Sequence, residues 1–206
     1  MNRMGVLWRV VAGVVLSGWM ASAAWAQSVQ VRVQDSAGQP LEGAVVFLDS
    51  AEAVRRVRPV VGAEVVQQNK AFAPSVLVVT RGTAVQFPNK DTLRHHVYSF
   101  SPTKKFELKL YVGTPANPVQ FDQAGVVVLG CNIHDHMVGW ILVVDTPYYA
   151  QTRADGWVTL EGVPRGDHVL RVWHHRLPVG NEAQAQRIKL ADGAFSATVI
   201  LKDARP

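Results

Sequence analysis

The sequence predicts an all-β protein built from many short strands. Three observations carry that expectation. Apolar and polar residues alternate over short runs, turn-forming Gly, Pro and Asp separate those runs at regular intervals, and only two stretches suit a helix. Strands this short in close succession suit sandwiches and barrels.

Taken in order, Val29, Val31 and Val33 alternate with polar residues, and Asp35–Pro40 supplies turn chemistry. Ala44–Leu48 is an apolar run suited to a strand buried on both faces. Val76–Thr80 and Thr83–Phe87 flank Arg81-Gly82, which reads as a hairpin turn. His95–Phe100, Phe106–Leu110, Val119–Phe121, Val126–Leu129 and Trp140–Val144 continue the pattern. Trp157–Leu160, Val169–Trp173 and Ala197–Leu201 complete it. Ser50–Arg56 and Asn181–Lys189 are the two stretches assigned a helical turn or two.

Residues 1–26 read as a secretory signal peptide. Arg3 and Arg9 precede an apolar stretch from Val10 to about Ala23, and Ala24-Trp25-Ala26 forms a small-x-small cleavage site before Gln27. The apolar stretch falls short of the roughly 20 residues a membrane-spanning helix needs. The expectation is a periplasmic protein with no membrane attachment once the signal is removed. The 180 residues from Gln27 to Pro206 suffice for one or two small domains. They carry 19 basic and 16 acidic residues, a net +3. No basic run is dense enough to form a nucleic-acid groove, and the mild surplus suits an acidic partner.

Cysteine and methionine usage is more informative. Exported proteins commonly use cysteines in disulfide pairs, yet Cys131 is alone. Met1, Met4 and Met20 leave with the signal, so Met137 is the single methionine of the mature chain. Both belong to Cys131-Asn132-Ile133-His134-Asp135-His136-Met137, a C-x-x-H-x-x-M loop that follows the apolar run Val126–Leu129 and Gly130. Taken singly, a lone Cys or Met is an ordinary core residue. Together with His134 they offer soft thiolate and thioether donors and an imidazole, which suits copper and zinc alike. A blue-copper centre needs two His, one Cys and a weak axial Met. The second imidazole has a source in Asn89–His96, where a polar loop runs into a strand. Strand alternation leaves both His95 and His96 open. Zinc bound by Cys131, His134 and an upstream His is an alternative, which Met137 disfavours. His136 lies between two of these residues in the loop and is expected to point to solvent, with the edge of the site as the alternative. His174-His175 reads as a strand end rather than a second metal site.

These residues make the chain resemble the cupredoxins. Its C-x-x-H-x-x-M spacing is similar to that of amicyanin and pseudoazurin, and more broadly to bacterial plastocyanin-like proteins labelled as methylamine-utilisation proteins. Phe72-Ala73-Pro74, Val78–Phe87 and Asn89-x-Asp91 look like that family's N-terminal half. The resemblance covers about Glu64–Val144. It implies a Greek-key β-sandwich over 64–145 with one copper held by His95, Cys131, His134 and Met137. The family usually carries Asn or another small polar residue after the first His, where it stitches the two ligand loops together; here that residue is His96.

The flanking segments resemble a second family. Val29–Leu48 and Thr152–Val172 look like the two consecutive phrases of a carboxypeptidase regulatory-like, transthyretin-like sandwich. That resemblance implies a smaller second sandwich made of 27–63 and 146–206, with the cupredoxin inserted between them. Two sandwiches in tandem are the alternative.

The expected function is that of a one-electron carrier with a type 1 copper, not an enzyme. Its expected partner is a c-type cytochrome or a periplasmic dehydrogenase. A protein that holds or delivers Cu(I) is the second reading. No nucleophile elbow, haem-attachment motif or phosphate loop points to other chemistry.

Overall fold

The computed structural model describes residues 27–204. The signal peptide read over 1–26 lies outside them. No helix among the described residues is long and apolar enough to cross a membrane.

The chain opens with β1 (Gln27–Gln34), β2 (Val45–Asp49) and a short helix α1 (Ala51–Arg56). Ser50 caps that helix, its hydroxyl accepting from the Ala53 N–H at 3.1 Å. Three brief strands follow, β3 (Ala63–Glu64), β4 (Val66–Gln68) and β5 (Ala71–Ala73). The central stretch comprises β6 (Val76–Thr80), β7 (Thr83–Gln86), β8 (His95–Ser101), β9 (Lys104–Tyr111), β10 (Val119–Phe121), β11 (Gly125–Gly130) and β12 (Val138–Val144). The chain closes with β13 (Tyr149–Gln151), β14 (Trp157–Val163), β15 (Gly166–Trp173), β16 (Gln184–Leu190) and β17 (Phe195–Ile200). The fold is all-β, as the sequence predicts.

Two sheets come from the central stretch, β6-β12-β11-β8-β9 and β10-β7-β3. Val79, Val97, Val127, Leu129, Ile141 and Val143 of the first bury against Val85 and Phe121 of the second. Two further sheets, β14-β1-β17 and β13-β2-β15-β16, join the two ends of the chain. In the first, β1 pairs antiparallel with β14 and parallel with β17. In the second, β2 pairs with β15 and β13. Among the described residues, no sheet mixes strands of 63–144 with strands of 27–49 or 149–200.

The β12 strand explains why Trp140–Val144 reads as an unbroken apolar run. Ile141 and Val143 face the core shared with β7 and β10. Leu142 and Val144 belong instead to the cluster containing Val31, Leu48 and Leu170. Both faces of β12 are covered, so alternation vanishes.

Two expectations need correction. Val76–Thr80 and Thr83–Phe87 do not form a hairpin, because β6 pairs parallel with β12 while β7 pairs with β10 and β3. The Arg81-Gly82 step crosses from one sheet to the other. Its N–H groups donate to Val144 O at 3.0 Å and Phe121 O at 2.8 Å rather than across a shared turn. Both strands carry apolar side chains into one core, which a crossing satisfies as well as a hairpin. The second correction is Asn181–Lys189, where β16 forms instead of a helical turn. Ile188 and Leu190 are buried two apart, while Arg187 and Lys189 are exposed, a strand period.

His174 ties the end of β15 to the loop before β2. Its Nε2 lies 3.0 Å from Glu42 O, and its Nδ1 accepts from the Arg176 N–H at 3.1 Å. Burial, aided by neighbouring His175, pushes its pKa from 6.5 to about 4. A histidine with a depressed folded-state pKa binds fewer protons folded than unfolded, so its contribution is complete above pH 6.5 and is lost as pH falls toward about 4. We expect urea-denaturation midpoints to fall over that interval in the native protein. His174→Gln should be less stable at neutral pH and should show a flatter pH profile.

Candidate metal centre

The centre forms where β8 begins and β11 ends. These strands are neighbours in one sheet, with Gly130 directly opposite Tyr98. His95 starts β8, and Cys131 follows the last residue of β11. The 131–137 loop then turns tightly: the Met137 N–H donates to His134 O at 2.9 Å, and the Val138 N–H donates to His136 O at 3.0 Å. That turn returns His134 toward Cys131 before β12 starts.

Cys131 Sγ lies 3.9 Å from His95 Nδ1 and 3.9 Å from His134 Nδ1. The three ligand atoms all lie within 4.8 Å of one another. A metal about 2.3 Å from sulfur and about 2.0 Å from each nitrogen, in a trigonal plane, places S and N about 3.7 Å apart. The observed separations therefore fit an ion between the three groups. His95 is fully buried, Cys131 nearly so, and His134 only partly. Met137 is buried in the same apolar cluster as Cys131. Burial and the positive charges of neighbouring residues push the His134 pKa down, which keeps its imidazole neutral and able to ligate.

The two adjacent imidazoles part company. His95 points inward, and its Nε2 lies 2.7 Å from Asp91 Oδ2. His96 points to the other face, with Nε2 3.0 Å from Glu107 Oε1 but without hydrogen-bond alignment. His136 is exposed, its ring 5.9 Å from that of His134. His174 and His175 lie at the end of β15, and His174 uses both ring nitrogens in backbone contacts.

Asp91, to which the sequence alone assigns no role, lies against His95. The Asn69 N–H donates to its Oδ1 at 2.7 Å and the Lys70 N–H to its Oδ2 at 2.9 Å. Those donors sit in the two-residue turn between β4 and β5. Both residues have φ near +55°, as a type I′ turn requires. The Lys70 N–H, with help from His95 and the Asn69 N–H, holds the Asp91 carboxyl below the usual carboxylate range. A charged acceptor on Nε2 fixes the tautomer and orientation of His95, leaving Nδ1 to face Cys131. The signal was present in Asn89-x-Asp91, four residues ahead of His95.

Asn89 braces the loop that carries His95. Its Nδ2 donates to Leu93 O and Tyr111 O, each at 2.8 Å, and its Oδ1 accepts from the Asp91 N–H at 3.0 Å. Tyr111, opposite His95 in the register, donates to Phe87 O at 2.7 Å. Burial pushes its hydroxyl up to about 12. The loop carrying His95 is thus tied to β9 and to the β4–β5 turn.

No known family model matches the chain, and no curated protein matches it. Solved structures do. A purple cupredoxin from Nitrosopumilus maritimus is 21% identical with a TM-score of 0.35, over 40% of this chain and 99% of that one. A single-site mutant of amicyanin in its reduced state is 20% identical with a TM-score of 0.36, over 48% and 98%. A copper-containing nitrite reductase from Thermus scotoductus SA-01 is 23% identical with a TM-score of 0.38, over 55% of this chain and 28% of that one. The chain is similar to cupredoxins.

Proposed function

We propose that this protein holds one copper ion between His95, Cys131 and His134, with Met137 as a weak fourth ligand, and works as an exported one-electron carrier. The observation that carries the reading is the placement of one thiol sulfur 3.9 Å from each of two imidazole nitrogens, in the same cluster as a buried thioether. Thiolate and thioether suit Cu(I), while two imidazoles keep Cu(II) acceptable. Copper bound there would supply a one-electron couple between those states.

The chain's own residues do the rest. Asp91 and the β4–β5 turn hold His95 in one orientation, and the apolar cluster around Val97, Leu129 and Ile141 excludes water. A rigid ligand frame resists rearrangement between oxidation states. His134 is partly exposed, so its edge brings the site to the surface. In this reading the cupredoxin-like unit of 64–145 is carried as an insert within a sandwich made by the two chain ends. The separate pairing of β1 with β14 and β17, and of β2 with β13 and β15, supports that arrangement over two sandwiches in tandem. No substrate is transformed, and the partner is another redox protein.

One observation favours a second reading, a protein that delivers Cu(I). Exposed His136 beside His134 offers an incoming or departing ion a further donor. Challenging the reduced, copper-loaded protein with a Cu(I) chelator of moderate affinity separates the two. A carrier keeps its metal and recovers its colour on reoxidation; rapid loss of copper with no reversible couple means trafficking.

Two sets of substitutions test the ligand assignment. His95→Ala should abolish the thiolate-to-copper charge-transfer band, whereas His96→Ala should retain it; the reverse result would exchange their roles. Asp91→Asn should leave copper bound but favour Cu(I), because a neutral acceptor makes His95 a poorer donor. A tenfold weakening of Cu(II) relative to Cu(I) corresponds to a potential about 60 mV higher by voltammetry. An unchanged potential would remove Asp91 from the tuning of the site.

A further inference from the structure

The outer face of β8 and β9 carries a row of aromatic side chains that the metal centre does not use. His96, Tyr98 and Phe100 alternate outward along β8, with ring centroids 5.7 Å apart for the first pair and 5.0 Å for the second. Phe100 is 77% exposed. His96 and Tyr98 are partly covered within the chain, so Phe100 is the ring the row presents most fully to solvent, and exposed aromatic side chains mark interaction surfaces.

Its neighbours define the partner's charge. Lys105 lies opposite Phe100 and Glu107 opposite Tyr98. Glu107 faces His96, while Lys105 and the exposed Lys109 have no acidic partner among the described residues. Two lysines against one glutamate on that face of β9 leave the row beside a net positive charge. A second copy of this chain would bring the same lysines and the same net +3 against it, which disfavours self-association.

The face also lies against the metal centre. A Cβ placed on Gly130 would meet Tyr98 Cζ at 2.7 Å, so the ring rests directly on the backbone of the residue bonded to Cys131. Beyond Phe100 the row runs into a cleft of about 900 Å³ between the two halves of the structure, lined in part by Phe47, Val138 and Arg171.

We propose that this aromatic and lysine-flanked face is the docking surface for an acidic redox protein, such as a c-type cytochrome with carboxylates around its haem edge. The proposal rests on the carrier reading above. In the docked pair one electron leaves Cu(I), giving Cu(II), and converts a ferric haem to ferrous; no proton or bond changes hands. Tyr98 would lie between the docked partner and Gly130, the residue bonded to Cys131.

The test mixes the reduced full-length copper protein with a ferric, acidic c-type cytochrome at low salt and follows haem reduction by stopped flow. Phe100→Ser, and separately the pair Lys105→Glu with Lys109→Glu, should each lower the second-order rate at least tenfold. In the charge-reversed pair the rate should no longer fall as salt is raised. The visible spectrum and potential should stay unchanged, which separates docking from damage to the site. Wild-type rates in both face variants, with transfer abolished by Ile133→Glu beside His134, would overturn the proposal in favour of the ligand-loop rim. Should the protein show no copper couple, the carrier reading fails on its own, and amide shifts on adding the cytochrome still decide the surface. Shifts confined to β8 and β9 uphold it, and shifts elsewhere overturn it. Equal loss of binding to anionic lipid vesicles in the lysine variants, without cytochrome shifts, would assign the face to a membrane and also overturn it.

Discussion

A histidine with no solvent exposure sits inside an apolar core, and the rest of the site depends on how that is tolerated. A buried imidazole needs partners for both nitrogens, or its desolvation costs more than its packing returns. His95 meets the requirement on one side with the Asp91 carboxylate, 2.7 Å from Nε2. On the other side its Nδ1 faces the Cys131 sulfur. The carboxylate is itself held by two backbone N–H groups of the β4–β5 turn. A small hairpin remote in sequence therefore helps decide that His95 Nδ1 points at Cys131.

The sheet that carries His95 and the strand leading to Cys131 has a second obligation. Its β12 strand is covered on one face by the core around Val85 and Phe121 and on the other by the cluster containing Leu48 and Leu170. The outer half of the chain thus shields the back of the sheet near β6 and β12. The same sheet is more open at β8 and β9, where Phe100 faces solvent. Rigidity at the centre and access at the edge come from one asymmetry in coverage.

The ligand loop was legible in the sequence because its chemistry is local. Cys131, His134 and Met137 fall within seven residues, and soft donors at that spacing have few other uses. The fold class was legible because alternation survives in β1, β8 and β15. The Arg81-Gly82 hairpin failed because a tight turn looks the same whether its strands pair or part, and partner choice depends on the distant β12 and β10. Asn181–Lys189 misled because β16 is exposed on one face and rich in Gln and Ala, with only Ile188 and Leu190 to show its period. The choice between His95 and His96 could not come from alternation alone, since both lie on a strand with apolar neighbours on each face. In the structure it is His95 that lies between Asp91 and Cys131.

The central claim is that His95, Cys131 and His134 form a copper site of the type that binds through thiolate. The visible spectrum of the purified protein on stepwise addition of Cu(II), with metal content determined on the same sample, tests it most directly. The account predicts an intense charge-transfer band that saturates at one copper per chain. A colourless protein that keeps stoichiometric zinc, with no band at any copper concentration, would contradict it.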